Sequence, residues 1–401
     1  MTPLRSRPQT AIAVLFLANV LNFYDRLALG AILEPLRREF HFTDTQLGAL
    51  VTWFTIVFAV AGLPLGRLAD TASRRRLLAA GLAVWAGLTA AAALATSYAM
   101  LLVTRLGVGI GEAVCAPVAA SWIGDLVPAH RRARAMSAFM AAIPIGGMLS
   151  FAVTGPVAQA WGWRIALALA AAPVLILVPA VLWLSEPHRG ADLQVRAGRP
   201  GGLPHRSFPP AFRWIAASGA IINFALYSFS TFLPAFLTRY HGASVARAGI
   251  WMGVGTGIAG LLAAAAVALL GDRVHNRLAL ASAASLLAAV PLFAALRATT
   301  FLPTVCLMMT GYALLQMYYG LIYAALQDLI APPLRATAMA AYLVVTYLGG
   351  ASWGPVVTGW LSDTLGSLHD AMYAIPAFSI LLAVVLACGA RFTRSFSSRP
   401  K

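Results

Sequence analysis

The chain has 401 residues, of which 60% are hydrophobic and only 10% charged, with a formal net charge of +16. Soluble domains carry about 25% charged residues, so this composition excludes an ordinary globular fold. Apolar runs of the length that crosses a bilayer as a helix fill most of the sequence, and their continuity excludes a β-barrel.

Twelve runs are predicted in chain order: 10–32, 46–66, 77–97, 99–122, 136–157, 163–184, 212–237, 246–270, 278–297, 300–326, 337–361 and 369–390. The first run is long, carries Asp25 and Arg26 and lacks a small-residue cleavage site, so it reads as a retained span rather than a signal peptide. The polar stretch 185–211, rich in Gly, Pro and Arg, separates six runs from six. The expected organisation is an N-terminal bundle (1–184), a cytoplasmic linker (185–211) and a C-terminal bundle (212–401). The positive charge reads as an orientation signal rather than as a nucleic-acid surface. Of the 29 Lys and Arg residues, 21 fall on one side of the proposed spans, 6 on the other and 2, Arg26 and Arg105, within them. Basic loops stay cytoplasmic, which places both termini in the cytoplasm of a multi-pass inner-membrane protein. Cys115, Cys306 and Cys388 all fall in apolar runs without paired spacing, which predicts neither disulfides nor a metal site.

The two halves repeat at an offset of 203 residues. Arg132-Ala133-Arg134-Ala135-Met136-Ser137-Ala138-Phe139 aligns with Arg335-Ala336-Thr337-Ala338-Met339-Ala340-Ala341-Tyr342, Asp125-Leu126 with Asp328-Leu329, and Gly146-Gly147 with Gly349-Gly350. Because the offset spans six helices, both copies keep one orientation, as in parallel repeats that rock about a site near the midplane.

Four ionisable residues stand where lipid disfavours them: Asp25 and Arg26 in the first run, Arg105 and Glu112 in the fourth. Each costs about 2.5–3.5 kcal/mol at a helix centre on insertion scales, so each is a functional-site candidate. Arg105 and Glu112 are two turns apart on one helix face, with Gly109 between them; Asn22 precedes Arg26 by one turn. The C-terminal half offers aromatic and neutral polar groups instead. Tyr312, Gln316, Tyr319 and Tyr323 share one face of the tenth run, and Asn223, Tyr227 and Thr231 one face of the seventh. Ordinary helix packing is the competing reading for both stripes, and a static buried network is the competing reading for the four charges.

Gly66-Arg67-Leu68-Ala69-Asp70-Thr71-Ala72-Ser73-Arg74-Arg75-Arg76 resembles the cytoplasmic loop signature of the major facilitator superfamily, and Gly271-Asp272-Arg273 is a weaker copy. Arg105-Leu106-Gly107-Val108-Gly109-Ile110-Gly111-Glu112 resembles its fourth-span motif, and Gly146, Gly147, Gly155 and Pro156 its fifth-span motif. Asn22-Phe23-Tyr24-Asp25-Arg26, together with Gly111-Glu112-Ala113, Asp125-Leu126-Val127-Pro128 and Arg131-Arg132-Ala133-Arg134, resembles the spinster branch, associated with lysolipid and sphingolipid-type cargo. The anion:cation symporter branch shares the first-span pair and the fourth-span acid, but its aromatic-Pro element is replaced here by Asp125-Leu126-Val127-Pro128.

The resemblance implies an all-α membrane protein of twelve transmembrane helices in two six-helix bundles, the major facilitator fold. It implies a secondary active transporter working by alternating access. Asp25 and Glu112 are then the proton carriers. Arg26, Arg105, Asn22, Asn223, Tyr227, Gln316, Tyr319 and Tyr323 face the substrate. Asp70, Arg74, Arg75, Asp272 and Arg273 form a cytoplasmic gate. The expected cargo is an amphipathic or anionic organic solute such as a lysolipid, driven by protons. An organic-anion:proton symporter, a drug:proton exporter, and a membrane receptor or scaffold that does not transport are the alternatives. No Walker motif, metal-ligand cluster or catalytic triad is evident, so neither an ATP-driven pump nor an enzyme is expected. A monomer without cofactors is expected, with protons, membrane lipids and a small-molecule or lipid-like substrate as its partners.

Overall fold

The computed structural model describes residues 8–186, 208–271, 273–274, 276–330 and 334–397. The N-terminal half holds α1 (Pro8–Phe40), α2 (Asp44–Thr71), α3 (Arg74–Ala92), α4 (Tyr98–Ala113), α5 (Cys115–Leu126), α6 (Ala129–Met140), α7 (Ala142–Trp161) and α8 (Trp163–Trp183). The C-terminal half holds α9 (Pro210–Tyr240), α10 (Val245–Leu270), α11 (Arg277–Arg297), α12 (Phe301–Leu329), α13 (Arg335–Thr346), α14 (Trp353–Leu365), α15 (Leu368–Met372) and α16 (Ala374–Ser397). Helices α4–α5, α6–α7 and α13–α14 each make one broken span, and α15–α16 make another.

Eleven spans among the described residues are long and apolar enough to cross a bilayer. The twelfth is α3, 19 residues that open on three arginines and pack between α4 and α8. The linker expected over 185–211 lies, for residues 187–207, outside the described residues.

The breaks have a local cause. Val114, between α4 and α5, precedes Pro117, and Ala141, between α6 and α7, precedes Pro144; a proline removes the N–H that the carbonyl four residues earlier would accept. A wide turn at Tyr347–Ala351 likewise precedes Pro355. Glu112 and Tyr347 therefore both sit at helix interruptions.

The repeat extends into local geometry. Ser73 and Asn276, 203 residues apart, cap α3 and α11 by accepting from the N–H three residues on. Arg132 Nε donates to the Val127 carbonyl at 3.0 Å, and Arg335 Nε to the Ile330 carbonyl at 3.1 Å. His41 and Gly242, which end the first helix of each half, both take left-handed backbone, φ 54° and 60°.

The halves meet along α1–α9, α2–α14 and α7–α10. Small residues permit the approach: a Cβ on Gly155 would lie 3.1 Å from the Gly249 Cα.

Candidate functional site

Mid-membrane, α1 and α4 bring the four charges together. Arg26 Nε donates to Glu112 Oε2 at 3.2 Å and its Nη2 to Asn22 Oδ1 at 3.0 Å. Arg105 Nη1 donates to Asp25 Oδ2 at 3.2 Å. Asp25 and Glu112 are 1% and 0% exposed, so the two ion pairs are shielded from solvent and from lipid. The two carboxyls also interact with each other. Asp25 Oδ1 and Glu112 Oε1 have no hydrogen-bond donor among the described residues, nor has Asn22 Nδ2 an acceptor.

The helix α2 supplies what the sequence pattern did not disclose. Phe58 stacks on Arg26, with the guanidinium carbon 3.9 Å from the ring centroid, and Phe54 on Arg105 at 4.7 Å. Aromatic faces stabilise cations in a water-poor site by about 2 kcal/mol. Gly109 makes this possible, because a Cβ there would sit 3.0 Å from the Phe54 carbonyl oxygen. Its role is close helix contact rather than open space. The i, i+4 spacing of Phe54 and Phe58 was visible in the sequence, yet it is indistinguishable from a lipid-facing stripe.

Across the molecule, Tyr227 on α9 meets Tyr347 edge-on at 6.3 Å, and the Tyr347 ring lies 6.1 Å from Phe58, the ring that covers Arg26, so aromatic groups of the C-terminal half border the charged cluster. Tyr347 is a second residue missed from sequence; it is brought in by the wide turn. Further along, Tyr319 donates to Asn223 Oδ1 at 3.1 Å, and Asn223 Nδ2 to the Gly219 carbonyl. Gln316 donates to the Tyr312 hydroxyl at 3.1 Å, and the Tyr319 and Tyr323 rings are 6.0 Å apart. Tyr319 and Asn223 thus join α9 to α12.

The expected gate residues are dispersed. Arg74 is 1% exposed and lies inside the N-terminal half, donating to Asp125 at 2.6 Å, to the Ser121 carbonyl at 3.1 Å and to Glu186 at 3.3 Å. Glu186 also accepts from Ser73 Oγ at 2.8 Å and from the backbone N–H groups of Arg74 and Arg75. Burial pushes its carboxyl up, but these donors outweigh burial and hold it below the usual carboxylate range. Arg273 is exposed. Asp272 and the side chain of Asp70 lie outside the described residues.

On the opposite face the halves are joined by ions. Arg239, at the end of α9, donates to Asp44 at 2.7 Å through both terminal nitrogens and to Glu34 at 2.6 Å. Ser362 donates to Asp44 at 2.6 Å. Asp363 accepts from the N–H groups of Asp44 and Thr45, at 3.0 and 2.8 Å, as an anion at the α2 N-terminus. In the sequence Arg239 is one of the six basic residues on the less basic side of the spans; only the approach of α9 to α1 and α2 gives it partners.

The family model of the Major Facilitator Superfamily matches residues 15–354. The chain belongs to this superfamily. Its members include a similar protein of Mycolicibacterium smegmatis, an MFS-type efflux pump, 32% identical over 96% of this chain and 91% of the relative. The sphingosine-1-phosphate transporter SPNS2 of Danio rerio is 27% identical over 89% of this chain and 77% of its own length. The crystal structure of a bacterial homolog to the human lysosomal transporter spinster, inward-facing and occupied, superposes with a TM-score of 0.83 at 23% identity, covering 98% of this chain and 97% of that one. The chain is thus a multi-pass membrane transporter with the major facilitator fold and a spinster-like sequence, and not an enzyme.

Proposed function

We propose that the chain is a proton-coupled transporter of amphipathic organic anions, lysolipids among them, with Asp25 and Glu112 as the proton carriers. One observation carries the reading: two buried acids share a site, each with one oxygen lacking a donor. A proton held between them would satisfy both. It would also leave the Arg26 and Arg105 guanidiniums in net excess, ready to take a phosphate or carboxylate through a planar fork. The aromatic wall of Tyr227, Tyr319, Tyr323 and Tyr347 suits the apolar part of such a cargo. With the basic loops cytoplasmic, the Arg239 ion cluster lies on the outer side and ties the two halves together there. Breaking those ion pairs is then the step that exposes the site outward. The cytoplasmic membrane is the proposed location.

The test is flux in proteoliposomes, with and without an imposed pH gradient, using a lysophospholipid, a small carboxylate and a cationic drug. Asp25→Asn and Glu112→Gln are expected to abolish gradient-driven accumulation while exchange survives, because exchange does not require proton release. Gradient-driven accumulation in both variants would make the cluster structural. The efflux-pump relative favours a second reading, drug:proton export; accumulation of the cationic drug alone would select it.

A further inference from the structure

A crevice of about 460 Å³ lies between α10 and α12, running from Trp251 to Ala266 on one helix and from Val305 to Met317 on the other. It is separate from the charged cluster. Helix α10 turns Gly249, Gly253 and Gly257 toward α7, while Val254, Ile258 and Leu262 on another face border the crevice. The span of α10 is 17% buried, against 78% for α9, so its remaining surface faces lipid.

The lining side chains are hydrocarbon and sulfur apart from the indole N–H of Trp251 at the mouth and Thr310, whose hydroxyl donates to the Cys306 carbonyl at 2.8 Å. Gly255 deepens it, since a Cβ there would strike Met309. At 1.5 Å per residue the α10 wall is about 22 Å long. That exceeds the roughly 15 Å of one leaflet's hydrocarbon and accommodates an extended acyl chain. The upper end carries an interfacial aromatic and a cation. Trp251 meets Phe301 edge-on at 6.1 Å, and the Arg247 guanidinium lies 3.9 Å over the same ring. Arg247 is exposed and has no carboxylate partner among the described residues.

We propose that this crevice is a binding site for one anionic phospholipid of the surrounding bilayer, an acyl chain lying along α10 and the headgroup phosphate on Arg247. The charge at the mouth selects the anionic headgroup, and the dry groove below it selects the chain.

The test is native mass spectrometry of the full chain released from nanodiscs of defined dioleoyl-phosphatidylglycerol and dioleoyl-phosphatidylcholine. The wild type is expected to retain one phosphatidylglycerol about fivefold over phosphatidylcholine, the size of one arginine's attraction to an anionic surface. Arg247→Ala should lose that preference. Ala313→Trp, which fills the crevice, should lose the retained lipid whatever its headgroup. Should Ala313→Trp not fold, a bimane on Cys306 in a Cys388→Ser background replaces it, with stronger quenching expected from brominated phosphatidylglycerol than from brominated phosphatidylcholine. Equal retention or equal quenching by the two lipids overturns the site. So does a preference intact in Arg247→Ala. Loss of the retained lipid in Asp25→Asn also overturns it, since the lipid would then belong to the transport site.

Discussion

Arg74–Asp125 in the N-terminal half and Arg277–Asp328 in the C-terminal half are the same ion pair, 203 residues apart. In the first Arg74 is 1% exposed, Asp125 is 23% exposed and Glu186 is a second carboxylate partner; in the second the side chains are 25% and 68% exposed. A similar divergence marks the membrane centre. At the offset of 201 that relates Thr43 to Ser244 as helix caps, Asn22 aligns with Asn223 and Arg26 with Tyr227. At the offset of 203, Arg105 and Glu112 align with Met308 and Leu315. Caps, turns and the paired arginines are thus duplicated, whereas charge at mid-membrane is confined to one half. A duplicated scaffold supplies two bundles of one shape, and the divergent positions make one wall ionic and the other aromatic.

The largest expected effect separates the two copies of the ion pair. Arg74→Ala takes the buried guanidinium and its hydrogen bonds from Asp125, Ser121 and Glu186, although Glu186 keeps its Ser73 and backbone donors, and is expected to cost about 3–5 kcal/mol, read as a collapse of melting temperature in detergent. Arg277→Ala is expected to cost less, about 1 kcal/mol, because solvent screens the 68% exposed Asp328. Similar losses in both would void the asymmetry.

Next is Arg239, which joins the halves. Its removal takes the arginine that spans the junction from Asp44 and Glu34, leaving Glu34 its neighbour Arg38 and Asp44 the Ser362 hydroxyl, a change of about 2 kcal/mol or more against the closed arrangement. Thiol labelling of Thr52→Cys, beside the Ser352 carbonyl in this junction, should quicken by more than tenfold in the Arg239→Ala background. An unchanged rate would show that helix packing alone keeps this face shut.

A smaller effect, about 1–3 kcal/mol, concerns Glu186. Its folded carboxyl is held below the unfolded value near 4.3, so its contribution is present above that pH and is lost as pH falls through the folded value. Glu186→Gln should lower the melting temperature at neutral pH and flatten its decline toward about pH 3. Parallel curves for variant and wild type would remove Glu186 from the acid response.

The smallest effect tests the aromatic wall. Tyr319→Phe removes one donor to buried Asn223 and should cost about 1 kcal/mol of stability. A larger loss of amphipathic-ligand affinity than of stability would place the hydroxyl at the ligand rather than in packing.

Apolar runs of about 20 residues, the 203-residue repeat and the isolated acids in the first and fourth spans determined the twelve-span, two-bundle fold and pointed to the Asp25–Arg26–Arg105–Glu112 cluster. Such features are local or periodic, and the cost of charge in lipid makes those four residues conspicuous. Tertiary structure alone decided the rest. Phe54 and Phe58 stack on the arginines because Gly109 lets α4 approach α2, and Tyr347 arrives through a turn that precedes Pro355. In the sequence Arg74 belongs to the expected cytoplasmic gate, and Arg239 is only one of the charges at span ends. Arg239 joins the two halves and Arg74 is locked within a single half, because a charge acquires its role from partners that only folding brings within hydrogen-bonding distance.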